Sequence, residues 1–449
     1  MALEQQELGE LKELAEKGDF EEFQKKAAEM HPHDLAELIQ KLDPSLRNKV
    51  LSNLKDELLI KVLPELAEDT QLGFVEVISP DLAAKLLAKI PPDDMADVLG
   101  DLSLDSRRNI VSYFSKEKTT EAKKLLKYAE DTAGGLMTTE VVALPENITV
   151  EKAIDYIRKK AKEFEAVYYI YVVDRSKRLV GVVSLRELVL ASPKAKLKDV
   201  MNPDVIKVPA DMDQEEVAYI IADYDLVAVP VVDENDRLLG MVTVDDVIDV
   251  IEEEVTEDMA HLAGTGAMID KLIEAPVISV VRARLPWLIF AMLGGLVAGS
   301  VISAYKETLS SVVMLAIFIP VIMSMGGNVG MQSSTIFVRG LATGEIERPL
   351  QYFLKEVKVG LLMGILIGGG IGVIAHIWKG MPMLGFIVGV AMLVTVFLAT
   401  AIGVAVPKLF HALGVDPAIS SSPFVTTIQD ITSLVIYFSI ASYLLIKVS

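Results

Sequence analysis

Along the first 130 residues, apolar positions recur at i, i+3 and i+4 in short bursts, as in HPHDLAELIQKLDP (31–44), DELLIKVLPELAED (56–69) and ISPDLAAKLLAKIPPDDMADVLGDL (78–102). That period belongs to amphipathic helices, each opening near Asp or Pro-Asp and expected to stop at a proline. The loose recurrence of about two dozen residues predicts an all-α superhelical domain over 1–130 whose units stack. From about residue 135 the pattern turns to β-branched runs alternating with helices. YYIYVVDRSKRLVGVVSLREL (168–188) and AVPVVDENDRLLGMVTVDDV (228–247) superpose at an offset of 59, pairing Val172 with Val231, Asp174 with Asp233, Gly181 with Gly240 and Glu187 with Asp246. Upstream, GLMTTEVVALPENITVEKAIDYI and DVMNPDVIKVPADMDQEEVAYII match at an offset of 64. Two copies of one α/β unit are therefore expected, at 131–195 and 196–252. A connecting helix is expected over 253–281. Beyond it come five apolar stretches, 285–304, 311–338, 359–378, 381–406 and 421–446, each long enough to cross a bilayer. The fold class is thus a multi-domain membrane protein ending in a five-helix transmembrane domain, 282–449.

Charge divides the chain at the same place. Residues 282–449 hold ten Lys/Arg and six Asp/Glu, whereas 1–281 hold 33 and 57, a net −24. An acidic first half of this size argues against a nucleic-acid partner and for cations or plain solubility. The 449 residues contain no cysteine, which rules out disulfides, thiolate metal sites and cysteine catalysis. No Walker loop, HExxH or nucleophile elbow is present, so the reading is not an enzyme. The opening MALEQQELGELKELAEKGDF has neither a basic n-region nor an apolar h-region, so the N-terminal half is expected to stay in the cytoplasm. Arg282, Arg284, Arg339, Arg348, Lys355, Lys358 and Lys408 fall on one side of the five stretches, and Lys306, Lys379 and Lys447 on the other. By the positive-inside rule this places the C-terminus outside, in a multi-pass plasma-membrane protein.

Candidate chemistry lies in both halves. Asp430 is the only charged residue within 421–446. An acid at the centre of a membrane helix costs roughly 2.5–3.5 kcal/mol, so it faces a cation pathway or bonds a neighbouring helix. Ser421, Ser422, Thr426, Thr427, Thr432 and Ser433 surround it as a wetted wall. The second stretch contains IPVIMSMGGNVGMQSST, where Pro320 and the Gly326-Gly327 pair predict an unwound turn beside a cavity, with Asn328, Gln332, Ser333 and Ser334 as neutral oxygen groups. No other acid is expected within the membrane. Asp93, Asp94 and Asp97 after Pro91-Pro92 serve either as helix-start acids or as oxygen ligands for a hard divalent ion. The second α/β copy and the helix after it are crowded with acids, from Asp211 to Asp258, which repel unless divalent cations offset them.

Each α/β copy, with its M-[TN]-x-x-V opening, V-V-D strand and final [ST]-x-x-[ED], resembles a CBS domain, a regulatory module that often binds adenine nucleotides. Over nearly the whole chain, the sequence resembles the MgtE magnesium transporter family. P-x-x-x-x-x-G-G-N-x-G-x-Q-S, HPHDLAELI, D-x-A-G-G-L-M-T, V-D-P-A and the final S-P-F-V-T-T-I-Q-D-I-T carry that likeness. The resemblance implies a homodimeric, magnesium-selective channel in the bilayer, with a cytoplasmic magnesium sensor and a "plug" helix at 253–281. It assigns the pore site to Asp430, lined by Gly326, Gly327, Asn328 and Gln332. It assigns sensor sites to Asp93, Asp97, Asp213, Glu215, Asp225, Asp246, Glu254, Glu257 and Asp258, and ATP contacts to Tyr169, Arg186 and Asn202. The alternatives are transport of cobalt or another divalent ion, an exporter of the same architecture, or a membrane-anchored nucleotide sensor without transport.

Overall fold

The computed structural model describes residues 2–160, 164, 167–265, 276–346, 348–420 and 423–446. Ser421, Ser422, Lys447 and the middle of the connecting segment lie outside the described residues. The chain divides into two compact units, Met1–Val250 and Ile251–Ser449.

The first unit opens with a helical solenoid whose regularity exceeds the loose repeat in the sequence. Eight successive helices begin at Pro32, Pro44, Asp56, Glu68, Pro80, Pro92, Leu104 and Lys116, each start 12 residues after the last. Alternate helices pack together. Pro32–Gln40 meets Asp56–Val62, which meets Pro80–Leu87, which meets Leu104–Val111. One core runs the length of the stack, from Leu11 through Phe23, Leu51 and Phe74 to Ala122. Pro64 does follow a helix end, two residues after Val62, but Pro32, Pro44, Pro80 and Pro92 start helices instead of stopping them, all sitting in a first turn. There the missing N–H costs nothing and the fixed φ is already helical.

The fourth residue of several helices is a polar clamp. Arg47 donates to the carbonyls of Leu42 and Gln40, Gln71 to those of Leu66 and Pro64, and Arg107 to those of Leu102 and Gly100. In each case the acceptors lie five and seven residues back, in the turn leaving the preceding helix. Truncating Arg107 to Ala strips two carbonyls of a charged donor. The expected loss is roughly 1–3 kcal/mol, read as a lower denaturation midpoint of the full-length protein. An unchanged midpoint would mean water replaces the guanidinium.

The tandem repeat folds twice. Strands β1 (Ala143–Pro145), β2 (Tyr169–Val173) and β3 (Leu179–Ser184) form one sheet, and β4 (Val208–Pro209), β5 (Ala228–Val232) and β6 (Leu238–Thr243) the other. In each, the first strand pairs parallel and the third antiparallel to the second. Even the bulge recurs at the offset of 59, between Val172 and Val173 and between Val231 and Val232. Asp174 and Asp233 close the intervening turns, each accepting two backbone N–H bonds. Those bonds hold both carboxyls below their usual range. Ser184 starts the next helix with a capping box closed by Glu187.

The second unit contains five helical segments long and apolar enough to span a membrane: Val277–Ala304, Val313–Leu341, Pro349–Lys379, Pro382–Ala412 and Pro423–Ile446. The fourth is the most buried. The third lies against it through a small-residue seam, since side chains on Gly364, Gly368 or Gly372 would run into the backbone at Leu393, Gly389 or Gly385. Such a seam lets helices approach closely where lipid supplies no hydrophobic drive. The first packs on the fifth, with Gly294 against Thr427, and leaves Leu285, Leu288, Met292 and Leu296 exposed.

Candidate functional site

Asp430 lies half-buried on the fifth span, and its carboxylate flanks Gly327 of the second. A methyl on Gly327 would sit 4.0 Å from Oδ1. Among the described residues Asp430 makes no hydrogen bond and no ion pair. Tying this helix to its neighbour falls instead to Gln429, 1% exposed, whose Nε2 donates to the Ala399 carbonyl of the fourth span at 2.9 Å. Of the two roles open to Asp430, the helix-bonding one is therefore already filled by the adjacent residue.

The second span differs from expectation. No turn unwinds at Gly326-Gly327: Ile319–Ala342 is one continuous α-helix with Pro320 in its first turn. The irregular backbone lies earlier, as the 3-10 segment Val313–Phe318. Gly326 and Gly327 are buried contact points, not a source of free carbonyls, and a side chain on Gly326 would collide with the Ser433 hydroxyl. The helix is amphipathic in an inverted sense. Ile322, Val329 and Phe337 are buried, while Ser324, Asn328 and Gln332 form an exposed stripe at successive four-residue steps. Asn328 Nδ2 reaches Ser324 Oγ at 3.5 Å. The hydroxyls of the fifth span contribute less to such a wall than expected. Ser433 is fully buried against Gly326, about 60° around the helix from Asp430, and Thr427 packs on Gly294.

A second acid within the membrane-spanning helices, missed in the sequence, is Glu356. The apolar run was placed at 359–378, but the third helix begins at Pro349. Glu356 is 9% exposed and accepts a hydrogen bond from Ser333 Oγ at 2.9 Å.

In the first unit, carboxylates crowd around the start of Pro92–Asp101. Asp93 is buried. Dehydration, then the like charges of Asp94, Glu130, Asp101 and Asp246, push Asp97 up to about 7. Solvent still reaches Asp97, so the dehydration is that of a crowded crevice, not a sealed core. Asp246 is pushed up to about 6 by dehydration, against the opposing hydrogen bond from Thr243 Oγ1. Gly100 permits the crowding, because any side chain there would press on Glu130. Asp213 caps helix Gln214–Asp223 by accepting from Glu215 N at 2.9 Å, and Asp225 follows that helix with φ +51°.

In the second unit, Asp258 is pushed up to about 6 by dehydration and then by Asp416. His261 Nε2 stands 3.3 Å from Glu257 and 3.8 Å from Asp416. Glu254 and Glu257 lie on the same continuous helix, Val244–Ala263. Asp416 was visible only as the acid of V-D-P-A. Among the described residues no three acid or histidine side chains converge as a ready metal site.

The three nucleotide candidates gather at one end of β3. Tyr169 is registered opposite Ser184, Arg186 follows two residues on, and the Asn202 backbone pairs with Val182.

Comparison with known proteins agrees along the chain. Residues 319–440 match the divalent cation transporter family MgtE, residues 30–131 the MgtE intracellular N domain, and residues 133–194 and 197–253 the CBS domain. The magnesium transporter MgtE of Thermus thermophilus is 41% identical over 97% of this chain and 98% of its own. That of Bacillus subtilis is 35% identical, with 96% and 95% covered. Among solved structures, the cytosolic domain of the Mg2+ channel MgtE in complex with ATP is 39% identical, with a TM-score of 0.52. It covers 54% of this chain and 99% of its own.

Proposed function

The chain belongs to the MgtE family of magnesium transporters, and on that premise we propose that two copies of it pass Mg2+ across a membrane along their shared axis. It is a multi-pass membrane transporter with regulatory CBS domains, not an enzyme. One observation carries the proposed pathway. Ser324, Asn328 and Gln332, with Asp430 beside them, form a polar stripe that a single protomer leaves uncovered. Amides and a carboxylate against lipid would be costly, so a second copy bringing the same stripe encloses them around water. Two Asp430 carboxylates then hold a hydrated dication through its own waters, because Mg2+ dehydrates reluctantly.

In this reading, 1–130 is the helical sensor, 131–195 and 196–252 the CBS pair, 253–281 the plug and 282–449 the transmembrane domain. The N-terminal half is cytoplasmic and the C-terminus extracytoplasmic. Regulatory Mg2+ bridges Asp97 and Asp246, with Asp93, Asp213, Glu215 and Asp225 adding negative charge. It also bridges Asp258 and Asp416 beside Glu254 and Glu257. Bound ions favour the closed state only in so far as they bind it more tightly. An adenine nucleotide at Tyr169, Arg186 and Asn202 is supported by the ATP complex of the related cytosolic domain. The axis is testable because the chain has no cysteine of its own. A single cysteine at position 328 or 332 is expected to yield a disulfide-linked dimer on mild oxidation in membranes. Monomer at 324, 328 and 332 alike would reject the shared axis.

A further inference from the structure

The pathway reading leaves Glu356 without a task, although it is the more deeply buried of the two acids within the membrane-spanning helices. Its carboxylate accepts a hydrogen bond from Ser333 Oγ at 2.9 Å. The nearest cations in sequence, Lys355 and Lys358, are exposed and form no ion pair among the described residues. A buried carboxylate held by the Ser333 hydroxyl is not one of the exposed groups of the polar stripe. What it does touch is the residue next to Gln332.

We propose that Glu356 is a positioning residue for transport: by holding Ser333 it fixes the rotation of the second span, so that Asn328 and Gln332 face the pathway. This rests on the pathway reading above. Each residue advances a helix by about 100°, so a slip of one position would carry Gln332 off the stripe and turn buried Val329 toward it. The other contacts of this helix are apolar or size-dependent: Ile322, Val329 and Phe337 are buried, Phe337 packs on the Tyr352 ring of the third span, and Gly326 and Gly330 approach Ser433 and Gly403 closely. The Ser333–Glu356 bond is directional, and among the described residues it is the side-chain hydrogen bond joining the second and third spans. Ser333 is also pinned from behind, since a side chain on Gly403 would come 3.1 Å from its Cβ. The polar bond and the steric stop act on one residue from two sides.

The test reads helix rotation directly. Single cysteines at 328, 329 and 332 are introduced into the full-length, otherwise cysteine-free chain and labelled in proteoliposomes with a charged methanethiosulfonate. In the parent, 328 and 332 are expected to react much faster than 329. Glu356→Leu leaves the Ser333 hydroxyl unsatisfied, a penalty equivalent to roughly tenfold in the balance between rotations, and is expected to even out the three rates. Glu356→Gln keeps an acceptor of the same shape and is expected to restore the parental pattern and transport. If Glu356→Leu does not assemble, Ser333→Ala removes the same bond and is judged by the same pattern. A parental pattern in Glu356→Leu or Ser333→Ala, or a Glu356→Gln variant behaving like Glu356→Leu, overturns the positioning role. Silence of 328 and 332 in the parent itself overturns the pathway reading, and this role with it.

Discussion

Asp430→Asn is expected to lower Mg2+ flux into proteoliposomes by roughly 100-fold or more while the proposed dimer still assembles. The substitution keeps shape and removes charge, so it isolates electrostatics. At about 4 Å and an effective dielectric near 20, one pair of unit charges is worth about 4 kcal/mol. A dication loses that attraction to two carboxylates at once, far beyond the 1.4 kcal/mol that makes a factor of ten. Little else in the neighbourhood can compensate. The stripe residues Ser324, Asn328 and Gln332 are neutral, and Glu356 is buried away from them. Retained flux in a variant that still cross-links through a cysteine at 328 would remove Asp430 from the pathway. Flux driven by a pH gradient in the parent, and lost in this variant, would instead make Asp430 a proton carrier.

The sequence was most legible where one periodicity governed one element. The offset of 59 carried over into two sheets with the same register and the same bulge, because β2 and β5 are matching apolar runs buried along nearly their whole length. The solenoid was legible as helices, but proline was misread as a stop, since Pro at a helix start and Pro after a helix end look alike in sequence. Arg47, Gln71 and Arg107 were invisible as clamps because the sequence shows their spacing and not the carbonyls they reach. In the membrane half, glycine and proline suggested a break at Gly326-Gly327. There the fourth and fifth spans press Thr395 and Ser433 against Gly326 and hold the helix intact. Glu356 escaped notice because an apolar window ends at the first charge, whereas the helix continues nearly three turns further toward its N-terminus. Asp430, Asn328 and Gln332 stood out because an acid and amides are rare in apolar stretches, but that Ser324, Asn328 and Gln332 share one exposed face of a continuous helix was not visible in the sequence.

Magnesium is expected to stabilise the full-length protein at pH 8 far more than at pH 5.5, and Asp97→Asn is expected to flatten that difference. In the unfolded chain these carboxyls titrate near 3.9. In the folded unit Asp97 lies up at about 7 and Asp246 at about 6. The folded state therefore holds their protons more tightly. Their contribution to stability is fully present below about pH 4 and is lost as pH rises through 6 and then 7. At pH 8 both are ionised in a crevice they share with Asp94, Asp101 and Glu130, each close pair costing on the order of 1 kcal/mol. A divalent ion binds only that ionised form, so protons and Mg2+ compete for one crevice. Limited proteolysis at both pH values, with and without about 10 mM Mg2+, should show strong protection at pH 8 and weak protection at pH 5.5. Asp97→Asn relieves repulsion without the ion, so it should resist cleavage better than the parent in magnesium-free buffer at pH 8 and gain little when the ion is added. Equal protection at both pH values, or a full magnesium response in Asp97→Asn Asp246→Asn, would remove this crevice from the sensor. The same repulsion, released when the ion departs, is the force that would part the acidic faces as free magnesium falls.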